Sequence, residues 1–192
     1  YGLNEENIEK YIIENLLPKK QKEITILGTA DLHGFFYNYN YPLDKEENDK
    51  GLAKVATIVK KERELNPNLL LVDNGDTVQD NMAYIFNNDP VHTMILGLNY
   101  LNYDAWVLGN HEFNFGLDFL RKQINEFNGD VLSANIIKEN DDYFVKPYSI
   151  YDIDGVKVAI VGLTTPNVPR WEASNPEHFK GLKFEDTLVS TE

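Results

Sequence analysis

The sequence predicts an α/β layered domain on three observations. Short apolar runs of strand length recur along the chain, amphipathic helical stretches alternate with them, and polar clusters follow several of the runs directly. Strands without polar alternation, separated by helices, indicate a sheet covered on both faces.

The elements follow in order. Residues 4–17 carry Ile8, Ile12 and Leu16 at helical spacing before Pro18, and Lys19-Lys20-Gln21-Lys22 makes a polar hinge. The first strand is Ile24–Leu27. The stretch Phe35–Lys50, rich in Tyr and Asn and then in Asp and Glu, is longer than a connection needs and is either functional or mobile. Gly51–Leu65 is a helix with Leu52, Val55, Ile58 and Val59 on one face. Leu69–Val72 is a strand, Val91–Leu101 a helix grouping Met94, Ile95 and Leu98, and Ala105–Leu108 another strand. Gly116–Phe127 is amphipathic, and Val131–Asn135 is extended. Tyr148–Ile153 and Val156–Leu163 flank Asp154-Gly155 as a hairpin. No repeat or low-complexity tract interrupts the pattern.

The chain has 192 residues and a formal net charge of −13, from 18 Lys+Arg and 31 Asp+Glu. That length fits one domain or a piece of a larger one. Hydrophobic residues at 42% and charged residues at 26% exclude wholesale disorder, collagen and coiled coil. The acidic balance argues against a nucleic-acid polymer as partner, because such proteins need a basic face. The absence of cysteine removes disulfides, thiolate metal sites and Cys nucleophiles together. No stretch approaches the ~18 apolar residues of a membrane span. The sequence opens Tyr-Gly-Leu-Asn-Glu-Glu, with neither an initiator Met nor a basic-then-apolar leader, so both ends read as cuts within a longer chain.

Three polar clusters stand immediately after strands: Asp31-Leu32-His33, Asp73-Asn74-Gly75-Asp76 and Gly109-Asn110-His111-Glu112. In sheets of this kind ligands bind outside the carboxyl ends of the strands, so three such ends converge on one pocket. Asp, His and Asn suit Mn, Fe, Zn or Mg ions, with no soft thiolate to compete. Asp31 and His33 can share one ion if the backbone leaves strand geometry between them. Asp76 can bridge two ions, and Asn110 ligates without adding charge. Gly28, Gly75 and Gly109 allow close backbone approach. Each cluster alone is equally a cap or turn; the three in order, each at a strand end, point to a metal site.

These clusters resemble the first three motifs of the calcineurin-like metallophosphoesterases. The longer stretches Leu71–Asp76 and Leu108–Asp118, with Gly162-Leu163-Thr164-Thr165-Pro166 and Trp171, resemble the bacterial 5′-nucleotidase group, in particular its 2′,3′-cyclic-nucleotide 2′-phosphodiesterase/3′-nucleotidase branch. The resemblance runs from about Ile24 to Trp171. It implies a layered β-sandwich flanked by helices, the metallophosphatase fold, of which this chain is the N-terminal half. Residues 1–22 are then an N-terminal helix and linker, and residues 23–192 the N-terminal part of the domain. It also implies two divalent ions (Mn, Zn, Fe or Mg), one on Asp31 and His33, the other on Asn110, with Asp76 bridging. A hydroxide between them attacks phosphorus in line, and Asn110 and His111 bind the phosphate. His111 serves as the catalytic group that assists the developing charge or the leaving oxygen. Two such cations bring enough local positive charge for a −13 chain to attract a nucleotide substrate.

The family's pattern also holds three further histidines, which this sequence does not match. His92 and His178 fit none of them and read as structural or surface residues. The 192-residue chain is therefore expected to bind metal weakly or at one site and to hydrolyse little. An exposed apolar sheet edge makes self-association an expectation. The implied location is extracellular, periplasmic or cell-surface. A 5′-nucleotidase or UDP-sugar hydrolase is the alternative activity, and a non-catalytic metal-binding domain the alternative class. The run Phe35-Phe36-Tyr37-x-Tyr39-x-Tyr41 reads as a base or sugar platform or as core packing. Gln79, Asp80 and Asn81 either orient the ions or cap a helix, and Arg170 and Trp171 are weaker candidates for substrate contact.

Overall fold

The computed structural model describes residues 22–191; the helix expected over 4–17 lies outside them. Four parallel strands form the central sheet in the order β1 (Ile26–Thr29), β4 (Leu70–Asp73), β5 (Ala105–Val107) and β6 (Asp130–Leu132). The helices α1 (Leu52–Leu65), α2 (Thr93–Tyr100) and α3 (Gly116–Glu126) lie between successive strands. Because the order never reverses and parallel crossovers are right-handed, all three helices fall on one face of the sheet. Leu71, Trp106, Leu108 and Val131 meet them there, in one core with Leu52, Val59, Met94, Leu98 and Leu120.

The opposite face, carrying Val72, Ala105, Val107 and Leu132, is covered by the hairpin of β8 (Tyr148–Ile153) and β9 (Val156–Val161), through Tyr151 and Ile160. The expected layers are therefore present. The hairpin's outer face, with Tyr148, Ile150 and Val161, stays exposed. A short antiparallel pair, β7 (Ile136–Lys138) with β10 (Leu182–Phe184), closes the end of the layer. No helix among the described residues is long and apolar enough to cross a membrane.

Several expected boundaries move. The first strand runs two residues later, to Thr29, and pairs Gly28 with Val72 and Thr29 with Asp73. The expected strand Val131–Asn135 ends at Leu132, because Ser133, Ala134 and Asn135 turn away before β7. Asn135 bonds the Thr164 backbone at both its N–H (2.8 Å) and its carbonyl (2.7 Å). Ile58 is exposed rather than on the core face of α1; six residues past Leu52 it has rotated about 120° away. The stretch Phe35–Lys50 contains a two-stranded hairpin, β2 (Tyr39–Asn40) with β3 (Lys45–Glu46).

His92 is structural, and fully buried. Its Nδ1 accepts the Met94 N–H at 3.2 Å, which caps α2, while Nε2 donates to the Ala83 carbonyl at 3.0 Å. Burial holds this imidazole below its usual range, and Lys122 adds to the effect. The unfolded chain therefore binds more protons below the unperturbed value of about 6.5. Stability from this group is complete above that pH and declines as the pH falls through the folded value. His92→Asn, which can still cap α2, is expected to flatten the pH dependence of urea unfolding below about pH 6.5 relative to the parent. Parallel profiles for the two chains would count against it.

Candidate metal centre at the strand ends

Parallel register brings the loops after β1, β4 and β5 to one edge of the sheet. The first two lock together through the backbone. The N–H groups of Asp31, His33 and Gly34 donate to the carbonyls of Gly75, Asp76 and Thr77 at 3.0, 2.9 and 2.9 Å. Asp31, His33 and Asp76 take left-handed conformations, with φ of 55°, 44° and 56°. Side chains two apart in a strand lie well apart along it. The turn at residues 31–33 instead brings Asp31 Oδ1 to 3.6 Å from His33 Nε2. Left-handed backbone at three non-glycine residues is costly and collects where a site demands it.

His33, Asp76 and His111 each offer a ligand atom within 4.8 Å of the others. The rings of His33 and His111 meet edge to face at 5.1 Å between centroids. Of the predicted metal residues, His33 and Asp76 share this locus, and Asp31 stands beside His33. Asn110 enters it through the backbone, between Gly109, which abuts Asp76, and His111, whose N–H donates to Asp76 Oδ1 at 2.8 Å. The resemblance sets His111 apart from the ligands; its imidazole lies among them. The two imidazoles and one carboxylate of that group, with the Asp31 carboxylate beside His33, suit a hard or borderline divalent ion, so the residues present fit one.

Positioning groups stand behind the cluster. His33 Nδ1 faces Gln79 Oε1 at 3.3 Å and Asp80 Oδ2 at 3.4 Å. Acceptors on that side keep a proton on Nδ1 and free the Nε2 lone pair. Gln79 and Asp80 therefore orient a candidate ligand. Asn81 does neither of the things expected of it: its side chain donates to the Tyr39 carbonyl and accepts from the Tyr41 N–H, both at 2.9 Å.

His111 is oriented by a chain that sequence inspection missed. Asn114 Nδ2 donates to Glu172 Oε1 at 2.5 Å, which turns Asn114 Oδ1 toward His111 Nδ1 at 2.6 Å. Nδ1 then carries the hydrogen, and Nε2 is left for the cluster. The carboxylate that follows Trp171 thereby acts on the far side of the site, while Trp171 itself is exposed.

Two buried carboxylates hold the loops. Glu112 accepts from the N–H groups of Asp76 (2.9 Å), Thr77 (2.8 Å) and Gly109 (2.7 Å), tying the β4 loop to the β5 loop. Burial pushes its carboxyl up to about 7 against the pull of those donors. Asp73 accepts from Thr29 (2.6 Å), Thr77 (2.5 Å) and the Gly75 N–H (3.1 Å), and burial raises it to about 6. Both stood inside recognised motifs without an assigned role. Thr164, in the last of those motifs, donates to the Leu108 carbonyl at 2.6 Å and so braces the strand end just before Gly109.

Comparison with known proteins agrees with this geometry. Residues 24–187 match the calcineurin-like phosphoesterase family. The chain is 38% identical over 176 residues to the trifunctional nucleotide phosphoesterase protein YfkN of Bacillus subtilis, covering 82% of this chain and 12% of that one. It is 28% identical over 173 residues to a 2′,3′-cyclic-nucleotide 2′-phosphodiesterase/3′-nucleotidase of Haemophilus influenzae, covering 82% and 26%. The fold superposes on the calcineurin-like phosphoesterase structure of B. subtilis YfkN with a TM-score of 0.76 at 34% identity, covering 88% of this chain and 55% of that one. Against the H. influenzae NAD nucleotidase the TM-score is 0.68 at 28% identity, with 88% and 30% covered. The chain thus spans about an eighth to a quarter of the length of the two relatives compared by sequence. By its strand-end cluster, its layered sheet and its match over residues 24–187, the chain belongs to the calcineurin-like phosphoesterase family.

Proposed function

We propose that the protein to which this chain contributes is a metal-dependent phosphoester hydrolase of nucleotides, acting on 2′,3′-cyclic nucleotides and 3′-nucleotides, with 5′-nucleotides or UDP-sugars as the alternative substrates. The supporting observation is the convergence of His33, Asp76 and His111 within 4.8 Å, with Asp31 beside His33. Asp31 and His33 would hold one divalent ion and Asn110 a second, with Asp76 between them; Mn, Zn, Fe and Mg all suit the donors. Such ions supply Lewis acidity and lower the pKa of bound water. Asn110 and His111 would hold the phosphate, and His111, fixed through Nδ1 by Asn114, would give the leaving oxygen a proton from Nε2 when the ring carries one on both nitrogens. An extracellular, periplasmic or cell-surface location, the habit of the family the sequence resembles, belongs to the same reading.

Hydrolysis of 2′,3′-cyclic AMP and p-nitrophenyl phosphate by a longer polypeptide containing this chain is the test. Asp76→Ala and His111→Ala are each expected to lower kcat by roughly a thousandfold, which is about 4 kcal/mol of transition-state stabilisation. Unchanged turnover of both substrates by both variants removes the proposal and favours a non-catalytic metal-binding domain. The 192-residue chain alone is expected to take up Mn²⁺ at one weak site, lost in Asp31→Ala, with little turnover. Two tight sites in a calorimetric titration would contradict that.

A further inference from the structure

A cavity of about 380 Å³ lies beside the metal cluster, on the far side of the Gly34 backbone. Its wall carries four aromatic rings, Phe36, Tyr37, Tyr41 and Phe86, and two thioethers, Met82 and Met94. No residue lining it is charged, in a chain where 26% of residues are. Met94 forms a buried floor, whereas Tyr37, Tyr41 and Met82 stand exposed around the mouth. A volume in the range of small-molecule sites, with a buried apolar floor and an aromatic rim, is the form of a ligand pocket rather than of a packing fault.

The backbone beside it is held in an unfavourable shape. Asp80, Asn81 and Met82 are consecutive left-handed residues, with φ of 79°, 43° and 66°. Asn81, itself buried, clamps this segment to Tyr39 and Tyr41 of the β2–β3 hairpin. Gly34 packs so closely that a β-carbon there would lie 2.5 Å from the Asp80 carbonyl oxygen and 2.7 Å from Ala83 Cβ. Strain retained at three successive residues, and fastened from two sides, is characteristic of functional surfaces. Residues 34–41, the 81–86 segment and the start of α2 together line the cavity, and nothing in the metal cluster requires it to be apolar.

We propose that this cavity binds a neutral, planar aromatic group. Ring edges and faces at the mouth and polarisable sulfur at the rim and floor favour a flat π-system over an aliphatic chain, and the uncharged lining disfavours an anion. The group belongs either to a free aryl compound or to the base of a nucleoside. The site is distinct from the metal cluster and does not depend on the phosphoesterase assignment.

The test is a fluorescence titration of the 192-residue chain with N-phenyl-1-naphthylamine, a neutral dye whose emission rises on transfer to apolar surroundings. Saturation at one equivalent is expected. Met82→Asp puts a charge at the rim in a residue type that tolerates left-handed backbone, and should weaken uptake about tenfold or more. Ile58→Asp, on exposed apolar surface of α1, should leave uptake unchanged. Displacement by adenosine identifies a nucleoside base as occupant; displacement by indole but not adenosine identifies a free aryl compound. The proposal is overturned by non-saturable uptake, by equal losses in the two variants, or by cyclohexanol displacing the dye as well as indole does. It is also overturned if sedimentation shows a dimer that Met82→Asp dissociates, because the cavity is then a contact between copies of the chain.

Discussion

Replacing Glu112 with Ala is expected to destabilise the fold by about 3–5 kcal/mol, since three backbone N–H groups lose their only acceptor at once. These donors belong to Asp76, Thr77 and Gly109, on two different loops. The loss is therefore of a junction as well as of bonds, at a side chain that is fully buried. For a chain of this size the melting temperature should fall by about 10 °C. Glu112→Gln keeps one carbonyl oxygen but turns an N–H₂ toward a backbone donor, so its loss should be intermediate. The order parent, Gln, Ala in urea unfolding is the expected result. An Ala variant within about 1 kcal/mol of the parent would show that the loops are held by something else. A second consequence separates position from stability. Asp76 is placed by Glu112 through its own N–H, so Mn²⁺ uptake by folded Glu112→Gln should weaken although no candidate ligand has been changed.

How far the site was legible in the sequence follows from what each residue acts upon. Asp31, His33, Asp76 and Asn110 were visible because donor types cluster after strands, and a parallel sheet leaves strand ends together. The meeting of His33 with Asp76 needed no knowledge of distance. Glu112 and Asp73 were visible as letters but not as roles, because a buried carboxylate that accepts backbone N–H groups has no spacing signature. Their donors come from residues up to 44 positions away. Glu172 was less visible still: it acts on Asn114 across 58 residues, by a contact that only the packing of the short helix α4 (Val168–Trp171) against the site creates. Helix faces were legible to within a residue type, as Met94, Ile95 and Leu98 show. Ile58 shows the limit, since apolarity alone says nothing of rotation about the helix axis. The strands β2, β3 and β10, two or three residues each, owe their existence to tertiary clamps such as Asn81 rather than to any local run.

Gly75→Ala should have the other large effect, and comparison with Gly28→Ala makes it decisive. Sequence inspection treats Gly28, Gly75 and Gly109 alike, as glycines next to strand ends. The structure separates them. A β-carbon at Gly75 would lie 2.3 Å from the Gly109 nitrogen, 2.7 Å from the Gly109 α-carbon and 2.8 Å from the Val107 carbonyl oxygen, all of them backbone. Its φ of 90° is in addition strained for any side chain. Neither loop can yield, because each is pinned to the other through Glu112, and the β4 loop is also tied to Asp31 and His33 by direct backbone bonds. A loss of about 4 kcal/mol or more is expected, up to failure to accumulate folded chain. At Gly28 the nearest atom would be the Val72 carbonyl oxygen at 4.0 Å, and the backbone is ordinary strand. Alanine there should change stability by less than about 1 kcal/mol, because a strand interior gains from losing glycine's freedom in the unfolded chain. Gly109→Ala should side with Gly75→Ala, since its β-carbon would meet Asp76 Oδ1 at 2.4 Å and the Asp76 nitrogen at 2.7 Å. Urea unfolding of the three variants in parallel checks this. If Gly75→Ala proved as stable as Gly28→Ala, the close approach of the β4 and β5 loops would be wrong, and with it the placement of Asp76 beside His111.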